Sequence, residues 1–233
     1  MGLDFLIIGV HCCGTTTLWD HMRKHPEVCE PLYKELNFFN IEGQYMHGQA
    51  YYESHVRMQH AGKHFEATVG YFEHLLVPFR IKKWYPNCKF IVLFRDPVRR
   101  AWSHYWQAPF KESEKKGYFD FIELTCGALQ GHFQVGWLER GVYWYKLAHW
   151  WEVFSKEQIL CVRSEDMFRK TQQTLETIQK FLGLESYTID RFTKAASHAR
   201  GKIPVEIEKS LQEYYKPYNA KLEKMTGINW NYD

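Results

Sequence analysis

The segment Gly9-Val10-His11-Cys12-Cys13-Gly14-Thr15-Thr16-Thr17 has the residue types needed to hold an anion. An apolar run, Phe5 to Ile8, leads into it, three threonines close it, and a helical pattern begins at Leu18-Trp19. Backbone N–H groups at a helix start have no intrahelical partner and lie at the positive end of the helix dipole, so a phosphate or sulfate is favoured there. The spacing from Gly9 to Gly14 fits the nucleoside-triphosphate loop G-x-x-x-x-G-K-[ST], but Thr15 stands where that motif has lysine. The loop therefore suits an anionic ligand other than a magnesium-bound triphosphate. Arg95 and Ser103 offer a second anionic handle. Arg95 ends the apolar run Lys89 to Phe94, Pro97 suits the first turn of a following helix, and Ser103 falls about two turns further on. A guanidinium and a hydroxyl from two elements can then reach one anion.

The elements that must position these groups follow from hydrophobic periodicity. Strands are expected at 4–10, 89–94 and 158–163, a short strand near Glu35, and extended chain from Phe65 to Val69. Helices are expected at 15–24, 73–84, 97–109, about 119–128, 141–154, 168–182 and about 204–224, with irregular helical structure over 44–62. Gly183 is a C-cap, and Lys111 to Phe119 is a charged loop. Alternating strands and helices predict an α/β fold in three layers, a central parallel sheet covered by helices on both faces. Its ligand should lie at the carboxyl ends of the strands. With no repeat or linker, residues 1–233 are expected to form a single domain.

Several segments resemble one family in its own order. The first loop resembles the 5′-phosphosulfate loop, PKCGTTSL, of sulfotransferases that use 3′-phosphoadenosine 5′-phosphosulfate. Arg95-Asp96-Pro97-Val98-Arg99-Arg100-Ala101-Trp102-Ser103-His104-Tyr105 is similar to their 3′-phosphate motif, RNPVDRAYSHY. Lys34-Glu35-Leu36-Asn37-Phe38-Phe39 resembles the KE-x-x-FF segment of Golgi-type and bacterial carbohydrate sulfotransferases. Glu66 to Phe72 sits where the family has EK(S/T)PSYF. Gly141 to Trp150, Gln158-Ile159-Leu160, Glu165-Asp166 and Phe181-Leu182-Gly183-Leu184 follow its later pattern, and Arg200 to Pro204 lies near its basic glycine loop.

The resemblance implies a P-loop-like fold and transfer of a sulfuryl group to a hydroxyl or amine of a carbohydrate or small-molecule acceptor. It implies cofactor contacts from Cys13, Gly14, Thr15, Thr16 and Thr17, from Arg95 and Ser103, and from Arg200, Gly201 and Lys202. It places the general base on Glu35, which Lys34 would orient unless Lys34 touches the acceptor. His104 and His11 are rival bases. The family lysine of the first loop is Cys12 here. That lysine is implied to stabilise the leaving phosphate, which a cysteine cannot do as a cation. Three readings stay open: a variant of low activity, a charge supplied by His11 or Lys202, or a relative that binds nucleotide without chemistry. A P-loop kinase fits less well, because Thr15 replaces its lysine and Asp96 is followed by proline.

Composition bounds the rest. A formal charge of +3 is too small for a nucleic-acid protein. Six cysteines without a C-x-x-C pair argue against a zinc ribbon or thioredoxin-like site. His21 with His25, and His60 with His64, have metal spacing only if helical and lack a third ligand, so no metal is expected. Trp102, Trp106, Trp137, Trp144, Trp150 and Trp151 are either core residues or stacking platforms for an acceptor. No stretch of membrane length and no signal peptide is visible. The expectation is a soluble cytoplasmic enzyme, with a trimmed lumenal Golgi domain as the alternative.

Overall fold

The computed structural model describes residues 2–107, 121, 125–126, 129, 136–188 and 201–231. Five strands form one sheet: β1 Phe5–Gly9, β2 Val28–Cys29, β3 Lys63–Ala67, β4 Lys89–Phe94 and β5 Ile159–Arg163. All are parallel, in the order β2-β3-β1-β4-β5. The described helices are α1 Thr15–Met22, α2 Glu42–Tyr45, α3 Gln49–Val56, α4 Val77–Trp84, α5 Pro97–Gln107, α6 Gly136–Glu139, α7 Trp144–Val153, α8 Ser164–Arg169, α9 Thr171–Leu182 and α10 Val205–Thr226. The expected α/β class with a parallel sheet is therefore present. The charged segment Lys111 to Phe119 lies outside the described residues, as does most of the helix expected near 119–128.

The chain forms two compact units, Met1–Phe94 with Lys146–Ala195, and Arg95–Tyr145 with Ala196–Asp233. The first unit holds the whole sheet. Its central strands read as continuous apolar runs because both faces are covered: Phe5, Leu6, Ile7 and Ile8 of β1 and Phe90 to Phe94 of β4 have no exposure. Phe5 stacks on Phe65 at 4.9 Å, and Phe90 meets Trp150 at 5.1 Å and Phe154 at 4.4 Å. The Trp150 indole N–H donates to Phe72 O, which makes this tryptophan core. The second unit has its own apolar cluster of α5, Leu138, Val142 and one face of α10, centred on Trp102, Tyr105 and Tyr215. Trp102 is thus core as well.

Four local expectations differ from the structure. The short strand is Val28–Cys29, where backbone pairing with Lys63 and His64 is available, and Glu35 sits in a loop. The helix expected from 73 begins at Val77, because Pro78 fits only the first turn; a 3₁₀ turn, Tyr71–Glu73, precedes it. The helix expected over 168–182 is two helices, broken at Lys170, whose φ of −127° and ψ of 48° leave the helical region. His60 and His64 do not share a helix, since His64 is in β3 with its Nδ1 3.6 Å from Asp4.

Candidate active site

The chain leaves β1 at Gly9, whose φ is +155°. A Cβ there would stand 2.9 Å from Phe72 Cβ and 3.2 Å from Val69 O, so the loop start is pressed against the chain that follows β3. The Val10 N–H donates to Leu93 O of β4, and the Cys13 N–H returns to Val10 O. Gly14 then turns into α1 with φ +90°. A Cβ on Gly14 would meet Phe168 Cζ at 2.7 Å, and Ser164 Oγ donates to Cys13 O at 2.6 Å. The first turn of α8 therefore braces the loop from behind. We expect Gly14→Ala to lose roughly 1–3 kcal/mol of stability through overpacking and a disallowed φ. Chemical denaturation would measure this, and an unchanged midpoint would remove the bracing role.

The loop can hold an anion. The backbone bonds internal to α1 begin with Leu18 N–H to Gly14 O. Those bonds leave out the N–H groups of Thr15 and Thr16. No side chain caps α1, and its first turn carries no acid. Thr15 and Thr17 are buried and Thr16 is exposed, so the hydroxyls do not share one environment. Cys12 is half-buried with φ 63°, a left-handed backbone within the bend. His11 Nδ1 lies 4.0 Å from Glu73 Oε1.

Glu35 stands at the end of β3. Its backbone is left-handed, with φ 63°, and its N–H donates to Ala67 O at 2.8 Å. Such a conformation costs about 1–2 kcal/mol for a residue with a Cβ and needs support from its surroundings. Val69 N–H donates to Glu35 Oε2 at 3.0 Å, and Lys34 Nζ pairs with Oε1. Val69 is the residue whose carbonyl closes on Gly9. The carboxylate and the loop start thus both meet one short piece of chain, and Lys34 pairs with Glu35.

The remaining candidates belong to the second unit. Arg95 is half-buried where the chain leaves β4, with its carbonyl accepting from Tyr143 OH at 2.9 Å. Asp96 Oδ1 accepts from the Val98 N–H and so caps α5. Ser103 is buried on α5. Gly201 and Lys202 are exposed ahead of α10, Gly201 with φ 66°, and Arg200 lies outside the described residues. His104 sits between Arg100, 3.4 Å away, and Arg140, 3.3 Å away. Burial and then these two guanidinium groups push His104 down to about 4. A histidine so acidified is a poor proton acceptor.

Two supports have no clear signature in the sequence. One is the Ser164 and Phe168 brace, which no local pattern announces. The other is Glu66, fully buried in β3 behind the Glu35 loop. A carboxylate in a strand with neighbours on both sides must be paired, and that position was the available signal.

A family model described as a sulfotransferase domain matches residues 3–226, across both units. The chain is 30% identical to human heparan sulfate glucosamine 3-O-sulfotransferase 3B1, over 98% of this chain and 64% of that protein. It is equally 30% identical to the human 3A1 enzyme, over 98% and 62%. It thus spans less than two thirds of the length of these relatives. A sulfotransferase from Alicyclobacillus acidocaldarius has the same fold, with a TM-score of 0.77, 23% identity, and coverage of 99% of this chain and 98% of that one. On the extent of the family match, this chain belongs to the sulfotransferase family.

Proposed function

We propose that this chain transfers the sulfuryl group of 3′-phosphoadenosine 5′-phosphosulfate to a hydroxyl or amine of a carbohydrate acceptor, glucosamine-containing chains being the first class to test. The acceptor class comes from the names of the human relatives, which are heparan sulfate glucosamine 3-O-sulfotransferases. The observation that carries the reading is the joint anchoring of Glu35 and the Gly9 loop on Val69. That proximity supports reading Glu35 as a proton acceptor beside an anion cradle.

When bound, the nucleotide supplies an activated sulfur and a phosphate leaving group. The chain's own work is positioning and charge stabilisation. The backbone at Cys13 to Thr17 holds the 5′ anion on the start of α1. Arg95 and Ser103 hold the 3′-phosphate, and Gly201 and Lys202, with Arg200, complete the cofactor contacts. Glu35 takes the acceptor's proton, oriented by Lys34 and the Val69 N–H. Cys12 leaves the loop without the cation that the resemblance places there. That favours a second reading, a relative that binds nucleotide and turns over slowly or not at all. No described helix is long and apolar enough to cross a membrane.

The nucleotide test uses titration calorimetry. We expect 3′-phosphoadenosine 5′-phosphate to bind far more tightly than ATP. A charge-assisted bond to phosphate is worth roughly 1.5–3 kcal/mol, so Arg95→Ala should weaken the 3′-phosphorylated nucleotide by about ten- to a hundredfold. ATP affinity should hardly move. Equal affinity for the two nucleotides would overturn the donor assignment.

A further inference from the structure

We infer that Glu66 is a positioning residue, whose buried carboxyl holds the Thr68 hydroxyl that carries the Asn37 amide, so that Glu35 is presented at the end of β3. The inference rests on reading Glu35 as the base. The amides of Glu35, Asn37, Phe38 and Phe39 are held by one short piece of chain. The Glu35 N–H donates to Ala67 O at 2.8 Å. The Asn37 N–H donates to Thr68 Oγ1 at 3.2 Å. The Phe38 and Phe39 N–H groups both donate to Tyr71 OH, at 3.1 and 3.4 Å. The Thr68 hydroxyl in turn donates to Glu66 Oε1, and Tyr52 OH of α3 approaches Oε2 at 3.5 Å.

Tyr52, Glu66, Thr68 and Tyr71 all have no exposure, so this is a closed polar network inside an apolar core. Burial of that kind is costly for a carboxyl, and an apolar side chain would be the cheaper filling. What an apolar side chain could not do is hold the Thr68 hydroxyl that accepts from the Asn37 amide. The groups facing Glu66 are Tyr52 from α3, Tyr71 and Thr68 from the chain after β3, Leu36 and Glu35 from the loop, and Cys88 ahead of β4. Burial first, then the nearby Glu35, raise Glu66 to about 7, against the hydrogen bond from Thr68. Near neutral pH the group is therefore shared between its acid and its carboxylate, and either form keeps an acceptor oxygen for the Thr68 hydroxyl.

The loop needs such a clamp. Glu35 and Asn37 both have left-handed backbone, with φ 63° and 52°, and only asparagine adopts it readily. Without its hydrogen bonds the segment would relax and carry Glu35 away from Val69. Misplacement of a reacting group by about 1 Å costs on the order of a hundredfold in rate.

The test pairs amide hydrogen exchange with single-turnover sulfuryl transfer, in Glu66→Ala, Glu66→Gln and Tyr71→Phe. Tyr71→Phe keeps the ring in place if Glu66→Ala folds poorly. Affinity for 3′-phosphoadenosine 5′-phosphate, at the parental level, identifies the folded variants. Glu66→Ala should speed exchange at Asn37 to Phe39 by about tenfold or more and lower the transfer rate by about a hundredfold, with acceptor KM nearly unchanged. Glu66→Gln, which keeps an acceptor oxygen, should recover most of both. Tyr71→Phe should loosen Phe38 and Phe39 and slow transfer. Parental exchange and turnover in the folded variants overturn the inference, even where Glu35→Gln is slow and the base reading stands. Loosened exchange beside a fully active Glu35→Gln protein supports the clamp and overturns the base reading instead.

Discussion

Glu35→Gln should lower the rate of sulfuryl transfer by about 10² to 10⁴, the usual consequence of losing a general base. The amide keeps an oxygen for the Val69 N–H, so the loop should stay in place while the basicity and the pairing with Lys34 are lost. Affinity for 3′-phosphoadenosine 5′-phosphate should change little, because the role is on the acceptor side. Single-turnover transfer beside titration of the nucleotide separates the two. A Glu35→Gln protein with near-parental turnover would pass the role to His11, which lies 4.0 Å from Glu73. His104 is the weaker heir, since its acidified ring is neutral and poorly basic at neutral pH.

Cys12→Lys should raise turnover by about a hundredfold or more, since stabilising charge on a leaving group is commonly worth about 3–4 kcal/mol. The backbone at position 12 already tolerates a side chain at φ 63°, and lysine, like cysteine, is unbranched at Cβ. The bend is set by Gly14, Phe168 and the Ser164 bond to Cys13 O, none of which involves the side chain at 12. Nucleotide affinity should therefore move less than rate. Comparing single-turnover transfer in the two proteins measures this. A fast cysteine form that lysine slows would mean that another group carries the charge, and His11 and Lys202 would be the first to replace.

The strand, loop and helix around Gly14 were legible because each rests on local chemistry. The apolar run Phe5 to Ile8 has no exposed residue, Gly14 supplies the positive φ, and the threonines follow on α1. The parallel sheet was legible for the same reason, in runs too apolar to face water. The setting of Glu35 was not. A lone Lys34-Glu35 pair beside Phe38-Phe39 reads as extended chain, whereas its left-handed backbone depends on partners about thirty residues later, near Thr68 and Tyr71. The break at Lys170 was also hidden, since no glycine or proline marks it. Pro78, by contrast, suits only the first turn of a helix and marks the true start of α4. Arg200 lies outside the described residues, so its part in the basic loop rests on the resemblance alone.

Whether this chain is a carbohydrate sulfotransferase is decided by following labelled sulfur from 3′-phosphoadenosine 5′-phosphosulfate to a glucosamine-containing polysaccharide. The parental chain and Cys12→Lys would be run side by side in one single-turnover experiment. Label should appear in the polysaccharide with an equal amount of 3′-phosphoadenosine 5′-phosphate released, slowly for the parental chain and faster for the lysine form. Label that stays on the nucleotide with both proteins, or leaves it only as free sulfate, would contradict the proposed activity.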